Sequence, residues 1–130
     1  MKTYRTMTCE ARIDPHLEER MEDLRRLWQA SCDGKEEGES LCEYGLCFDY
    51  VEPNTFADQK EAYFRYQLSW GGPSDEFRFF VNPDLSCHRI EYWFLDWFDG
   101  AHRVLSGDDE RLLSDILDWF NPEIVRRAAR

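Results

Sequence analysis

The sequence lacks the features that mark several large functional classes. It has no apolar run close to the roughly 20 residues that a membrane-spanning helix needs, and no glycine-rich loop of the kind that holds phosphates. Basic residues are also scarce, because 16 lysines and arginines stand against 27 acids and leave a net charge of −11. Since nucleic acids and anionic membranes bind to basic surfaces, we expect neither direct nucleic-acid binding nor membrane binding.

Motifs for catalysis and metal binding are equally sparse. There is no G-x-S-x-G nucleophile motif. Cys42 and Cys47 lie in one predicted strand and point to opposite faces, and Cys87-His88 has no second short-spaced pair to complete a zinc site. Adjacent strand residues face away from each other, so Cys87 and His88 form a poor nucleophile and base pair. We predict no metal, no cofactor and no catalytic residue.

The N-terminal segment gives an expectation about the compartment. Residues 1–14 contain no apolar signal-peptide core. The five cysteines are an odd number, which favours reduced thiols that pack as small hydrophobes. We therefore expect a single domain over residues 1–130 that is located in the cytoplasm.

Two amphipathic helices are predicted. Asp14-Pro15 indicates a helix start, and apolar residues at helical spacing continue from there to about Ser31. Ser106 indicates the start of a second helix, which ends at Asn121-Pro122. The basic segment 123–130 is compatible with a further helical turn or with a frayed end.

Between the helices, alternating apolar residues predict a sheet. The predicted strands cover residues 41–51, 62–70, 76–82, 88–98 and 101–105. Residues 88–98 also fit a buried helix, although their Ile, Tyr, Trp and Phe favour a strand. Asp99-Gly100 predicts the last hairpin turn. Because the connections are short, we predict an α+β fold with a four- to five-stranded antiparallel meander sheet and two main helices packed on one face.

The central segment carries a family resemblance. Residues 48–51 (FDYV), 66–79 (YQLSWGGPSDEFRF) and 91–97 (EYWFLDW) resemble a family of small acidic uncharacterised proteins that are encoded on bacterial plasmids and integrative mobile elements. The resemblance covers roughly residues 41–100. It implies a bacterial mobile-element setting, and it implies no reaction, cofactor or catalytic residue.

The face of the predicted sheet opposite the helices is rich in charged side chains. It contains a set that could bind a small ligand through its arginines: Asp49, Arg65, Gln67, Arg78, Arg89 and Glu91. The same alternation of acids and arginines is expected of a solvated face with cross-strand ion pairs. Both interpretations remain open at this point.

Aromatic residues outside the inward pattern form a second candidate site. Trp93 and Trp97 share the face opposite Ile90 and Tyr92 in the predicted strand, and Phe80 points the same way on its own strand. If exposed, these rings predict a protein-binding patch, because aromatics dominate interface hot spots. If both faces are covered, they are core residues.

Three functional hypotheses follow. The first is a non-enzymatic interaction protein that binds a basic protein partner, for example a decoy that presents carboxylates where a nucleic-acid-binding protein expects phosphates. The second is a small-ligand-binding or enzymatic domain that uses the polar face. The third is a homodimer or larger structural assembly that buries Trp93 and Trp97.

Overall fold

The computed structural model describes residues 7–34 and 40–129. Over these residues the chain has an α+β fold with a five-stranded antiparallel sheet and helices packed against it. In chain order the elements are α1 (Cys9–Cys32), α2 (Leu41–Tyr44), β1 (Cys47–Val51), β2 (Tyr63–Ser69), β3 (Ser74–Val81), β4 (Cys87–Asp96), β5 (Asp99–Val104), α3 (Gly107–Trp119) and α4 (Pro122–Ala128). The predicted fold is confirmed, and residues 88–98 lie mostly in a strand rather than a helix.

The sheet is a simple meander in which each strand pairs with its sequence neighbours, in the order β1-β2-β3-β4-β5. The β2–β3 and β4–β5 turns therefore lie at one end of the sheet, together with the start of β1. The β1–β2 loop and the β3–β4 turn lie at the other end. This arrangement decides which loops can act together.

The core lies between one face of the sheet and the helices. Alternate strand residues point inward and meet the apolar sides of α1 and α3. The buried residues include Phe64, Tyr66, Phe77, Phe79, Tyr92 and Phe94 from the sheet and Ile13, Leu24, Leu113 and Ile116 from the helices. Fully burying one such side chain contributes about 1.5–3 kcal/mol. The opposite, outer face of the sheet carries the polar set described below.

The first helix begins earlier than predicted. Its N-cap is Thr8, whose hydroxyl accepts a hydrogen bond from the Ala11 N–H at 3.1 Å, and the Cys9 N–H donates to Asp99 Oδ2 at 2.7 Å. These two acceptors satisfy donors that the Asp14-Pro15 start would have left outside the helix. Pro15 therefore lies inside α1.

The predicted first strand is also shorter than expected. Leu41–Tyr44 is a helical turn, because Ser40 and Glu43 form a capping box in which each side chain accepts a hydrogen bond from the other residue's N–H. Cys42 therefore does not share a strand with Cys47, and β1 begins at Cys47. The predicted loop at 32–40 falls partly outside the described residues.

The last hairpin turn lies two residues before its predicted position. Asp96 pairs with Asp99, so the turn consists of Trp97 and Phe98, and Asp99-Gly100 opens β5. Both flanking carboxylates are tied to α1, since Arg12 donates to Asp96 at 2.6 Å and the Cys9 N–H donates to Asp99. These contacts hold the turn at Trp97-Phe98.

A buried polar network joins α1 and the sheet. Asp75 on β3 is 3% exposed and accepts hydrogen bonds from Arg20 at 2.7 and 3.0 Å, from Ser69 at 2.5 Å and from the Tyr92 hydroxyl at 2.6 Å. Burial alone would raise the pKa of Asp75, but the bonds from Arg20, Ser69 and Tyr92 hold it below its ordinary value. The network therefore keeps a full negative charge inside the fold.

Candidate functional site

The outer face of the sheet brings the six predicted ligand residues together. Cross-strand pairing places Asp49, Arg65, Arg78 and Glu91 in one continuous row over four strands. The rows on either side contain Gln67 and Arg89, respectively. The six predicted residues thus share one surface.

Two of the three arginines on this face are held by two hydrogen bonds to carboxylates. Arg65 donates to both oxygens of Asp49, at 3.1 and 2.7 Å, and this pairing raises the pKa of Arg65. Arg89 donates to Glu91 and to Glu61, both at 2.8 Å. Burial alone would lower the pKa of Arg89, but these two carboxylates hold it above its ordinary value. Most of the charge on this face is therefore paired.

Arg78 differs from its neighbours. Its guanidinium lies 4.0 Å from the ring centroid of Trp93 and 5.1 Å from that of Tyr63, and its Nε donates to Glu76 at 2.7 Å. Its two terminal nitrogens make no hydrogen bond within the described residues. Since every buried side-chain nitrogen and oxygen in those residues has a partner, the terminal nitrogens of Arg78 are in contact with solvent.

Three of the six predicted residues, Arg78, Arg89 and Glu91, line a groove with a volume of about 390 Å³. The other three, Asp49, Arg65 and Gln67, do not line it. One wall is the β1–β2 loop, residues 56–61, and another is formed by Trp93 and His102. The loop is held by Gln59, whose amide makes four hydrogen bonds to backbone groups between Glu52 and Glu61. We call this concavity the outer groove.

The predicted aromatic patch is divided by the structure. Phe80 is buried beside Val51 and Tyr63, with Arg89 4.2 Å above its ring. Trp93 is half-buried and stacks on His102 with ring centroids 4.5 Å apart. Trp97 is 89% exposed and lies in the β4–β5 turn rather than on the strand. Of the three, only Trp97 presents its whole ring to solvent.

Trp97 is accompanied by two other exposed rings at the same end of the sheet. Phe98 is fully exposed beside it, and Trp70, 77% exposed, lies in the β2–β3 turn. The two turns are neighbours, since a Cβ placed on Gly72 would be 3.6 Å from Asp96 Oδ1. We call Trp70, Trp97 and Phe98 the aromatic end.

The backbone of the β4–β5 turn is strained at Trp97. Its φ is 57°, in the left-handed region, and it is the first residue of a two-residue turn. That position in a type II′ turn favours glycine. A tryptophan there costs conformational energy and buries little of its ring. Backbone strain of this kind is concentrated at functional sites.

Acidic residues surround the aromatic end and cover the helices. Glu10, Asp14, Asp96 and Asp99 lie near the two turns, against Arg12 and Arg103. Further along α1 and α3 is a set of exposed acids that form no ion pair with a described residue: Glu18, Glu19, Glu22, Glu110, Asp115 and Asp118. The surface around and behind the aromatic end is therefore negative.

Sequence reasoning missed Phe98 and Trp70. Trp70 continues the inward alternation of Phe64, Tyr66 and Leu68, but β2 ends at Ser69 after a register shift, so Trp70 leaves the core. Phe98 was hidden by the expectation that the turn lay at Asp99-Gly100. The available signal was Asp96, a charged residue at a position that continues the inward alternation of Ile90, Tyr92 and Phe94 and so indicates the end of the strand.

No metal cluster is present in the described residues, and Cys87, the thiol next to a histidine in the sequence, is not activated. No group of three His, Cys, Asp or Glu side chains there could hold a metal ion. The Cys87 thiol bonds to the Arg89 carbonyl, and burial raises its pKa, which is the opposite of what a nucleophile needs. His88 faces Glu61 at 3.0 Å.

Among the residues that the structure describes, no helix combines the length and the apolarity that crossing a membrane requires.

A second cavity, of about 610 Å³, lies at the other end of the sheet between Tyr50, Val81 and Arg126. Its cations Lys60 and Arg126 are matched by Glu52 and Glu61. The balance of charge favours no particular ligand.

Comparison with known proteins adds no relative: no protein-family model, no curated protein and no solved structure matches this chain.

Proposed function

We propose that this chain is a non-enzymatic, acidic interaction protein that binds a basic protein partner through its aromatic end. The observation that carries the proposal is Trp97, a nearly fully exposed ring held in a strained turn beside the exposed rings of Phe98 and Trp70. Large rings at protein interfaces supply much of the binding energy when a partner's pocket encloses them.

The charge of the molecule supports a basic partner over a second copy of this chain. Two copies, each with a net charge of −11, repel each other. A partner with a positive rim around an apolar pocket complements the acids that surround the aromatic end. Complementary charge accelerates association and weakens as salt is added.

A decoy function is a natural extension of this proposal. Where the partner's basic surface is its nucleic-acid site, a bound acidic protein blocks that site. The resemblance of residues 41–100 to proteins of bacterial mobile elements fits such a role, since the partner would then be a cytoplasmic protein of the bacterial host.

The test compares capture by matched variants. Wild-type protein, a Trp97→Gly/Phe98→Ser double variant and a Phe56→Ser control are immobilised and exposed to a bacterial lysate. Phe56 is also an exposed ring, at 52%, but it lies at the other end of the sheet. We expect the wild type and the control to retain the same basic protein, and the double variant to retain at least about tenfold less.

Two results would contradict the proposal. One is equal capture by the double variant and the wild type. The other is a dimer mass for the purified wild type in light scattering that returns to the monomer mass in the double variant, because this assigns the aromatic end to self-association.

A further inference from the structure

We infer that the outer groove is a binding site for a small, flat organic carboxylate, which the terminal nitrogens of Arg78 would hold. The site is independent of the proposed protein interface, because Trp97, Phe98 and Trp70 do not line the groove. The inference depends on three properties of the groove: a fixed cation, a pair of unused donors and walls made of rings.

The cation is fixed before any ligand arrives. Stacking on Trp93 and Tyr63 restrains the plane of the Arg78 guanidinium, and the Nε bond to Glu76 restrains its rotation. The side chain is only 19% exposed. The end-on pair of terminal nitrogens remains without a hydrogen bond to any described residue. A planar guanidinium presents two parallel N–H donors there, which match the two oxygens of a carboxylate. Little side-chain entropy remains to be lost on binding.

Arg78 has more unused donors than Arg65. Arg65 donates from two nitrogens to the two oxygens of Asp49, whereas Arg78 donates only from Nε, to Glu76. Each arginine therefore has one carboxylate partner, and the cross-strand neighbours of Arg78 are Arg65 and Glu91. The unused donor pair, rather than an excess of positive charge, is what an added carboxylate would occupy.

The rest of the groove defines the body of the ligand. The rings of Phe56, Phe80 and Trp93 contribute to its lining, and its volume of about 390 Å³ suits a small molecule. The charged groups that line the groove are three acids and three bases: Asp58, Glu61, Glu91, Lys60, Arg78 and Arg89. A doubly charged phosphate meets stronger repulsion from the acids than a singly charged carboxylate does. A flat ring with one carboxylate fits both conditions.

The experiment uses the full chain and two probe pairs: benzoate with benzamide, and indole-3-acetate with indole-3-acetamide. The two members of each pair differ in one group, a charged carboxylate in one and a neutral carboxamide of similar size in the other. Binding is followed by ¹H–¹⁵N NMR at the Trp93 indole N–H, which donates to Glu91 at 2.8 Å and so reports on the groove. We expect each acid to shift this signal and to bind at least about tenfold more tightly than its amide.

Matched variants separate Arg78 from the rest of the face. Arg78→Gln should weaken acid binding at least about tenfold, whereas Arg65→Gln, on the same row, should weaken it less than about threefold. The Trp97→Gly/Phe98→Ser variant should bind the acids as the wild type does, so failure of the protein-binding proposal leaves this result unchanged.

Three results would overturn the inference: amides that bind as well as the acids, equal losses in the Arg78 and Arg65 variants, or no shift of the wild-type Trp93 signal at probe concentrations of about 20 mM. The last result is obtained with the wild type alone, so the inference can still be overturned if a variant fails to fold.

Discussion

At the scale of single residues, Asp75 shows how the fold accommodates a buried charge. The carboxylate accepts four hydrogen bonds from Arg20, Ser69 and Tyr92, and these partners come from α1, β2 and β4. Removing one member of such a buried set leaves the others without their partner, so the cost exceeds the value of a single bond.

We expect Asp75→Asn to lower the free energy of unfolding by about 2–4 kcal/mol at neutral pH. Urea unfolding measures it. Arg25→Gln is the control, because it breaks only the exposed Arg25–Asp109 pair and should cost less than about 1 kcal/mol. Equal losses in the two variants would show that the Asp75 network is not a structural element.

The same residue predicts a pH dependence. Because the folded-state pKa of Asp75 lies below its ordinary value of 3.8, its contribution to stability is complete above pH 3.8 and is lost as the pH falls through the folded-state pKa. The difference in stability between the wild type and Asp75→Asn should therefore be constant near neutrality and shrink below pH 3.8. A difference that grows with acidity would contradict the depressed pKa.

Trp97 makes the opposite prediction for stability. Glycine accepts a φ of 57° without strain, and the ring of Trp97 is 89% exposed, so little burial is lost. We expect Trp97→Gly to leave the free energy of unfolding unchanged or to raise it by up to about 1 kcal/mol. A loss of more than about 1 kcal/mol in urea unfolding would mean that the ring stabilises the fold rather than serving a partner.

At the scale of elements, the strands were more predictable from the sequence than their ends. Alternation of apolar residues identified β2, β3 and β4 because a one-residue shift would reverse every side chain. The start of α1 was missed because it depends on a contact with a residue that is distant in the sequence. The start of β1 was missed because a local capping box precedes it. Asp99, 90 residues after Cys9, accepts a hydrogen bond from the Cys9 N–H in the first turn of α1. Ser40 and Glu43 form a capping box, so Leu41–Tyr44 is a helical turn rather than the start of a strand.

The candidate sites were predictable to different degrees. The arginine and carboxylate set shares one face because strand alternation alone puts it there. Which arginine has unbonded terminal nitrogens depends on Glu61 and on the β1–β2 loop, and no sequence pattern reveals that. The aromatic end depends on where the β4–β5 turn falls, and contacts with α1 place that turn.

The connection between α2 and β1 predicts a strong effect at Gly45. A Cβ at this position would clash with the ring of Tyr66, which is buried and donates a hydrogen bond to the Leu41 carbonyl at 2.8 Å. We expect Gly45→Ala to lower the free energy of unfolding by about 1–3 kcal/mol in urea unfolding. In Gly100→Ala, the control, the new methyl meets the end of the half-buried Leu95 side chain, which can turn aside. A similar loss in both variants would contradict the close packing at Gly45.

At the scale of the whole molecule, the acidic surface and the aromatic end support the same proposed function, which is binding of a basic protein. A net charge of −11 disfavours self-association and nucleic-acid binding, while exposed rings in neighbouring turns offer an apolar anchor. In the function proposed here, acids around the anchor select a basic partner, and the rings supply the affinity.

Site-specific photo-crosslinking is the most direct test of whether the aromatic end binds a basic protein. A photoreactive phenylalanine analogue replaces Phe98 in one variant and Phe56 in another, and both are irradiated in bacterial cells. We expect a discrete adduct with a basic protein from position 98 and none from position 56. The same adducts from both positions, or none from position 98, would contradict the claim that the aromatic end binds a partner.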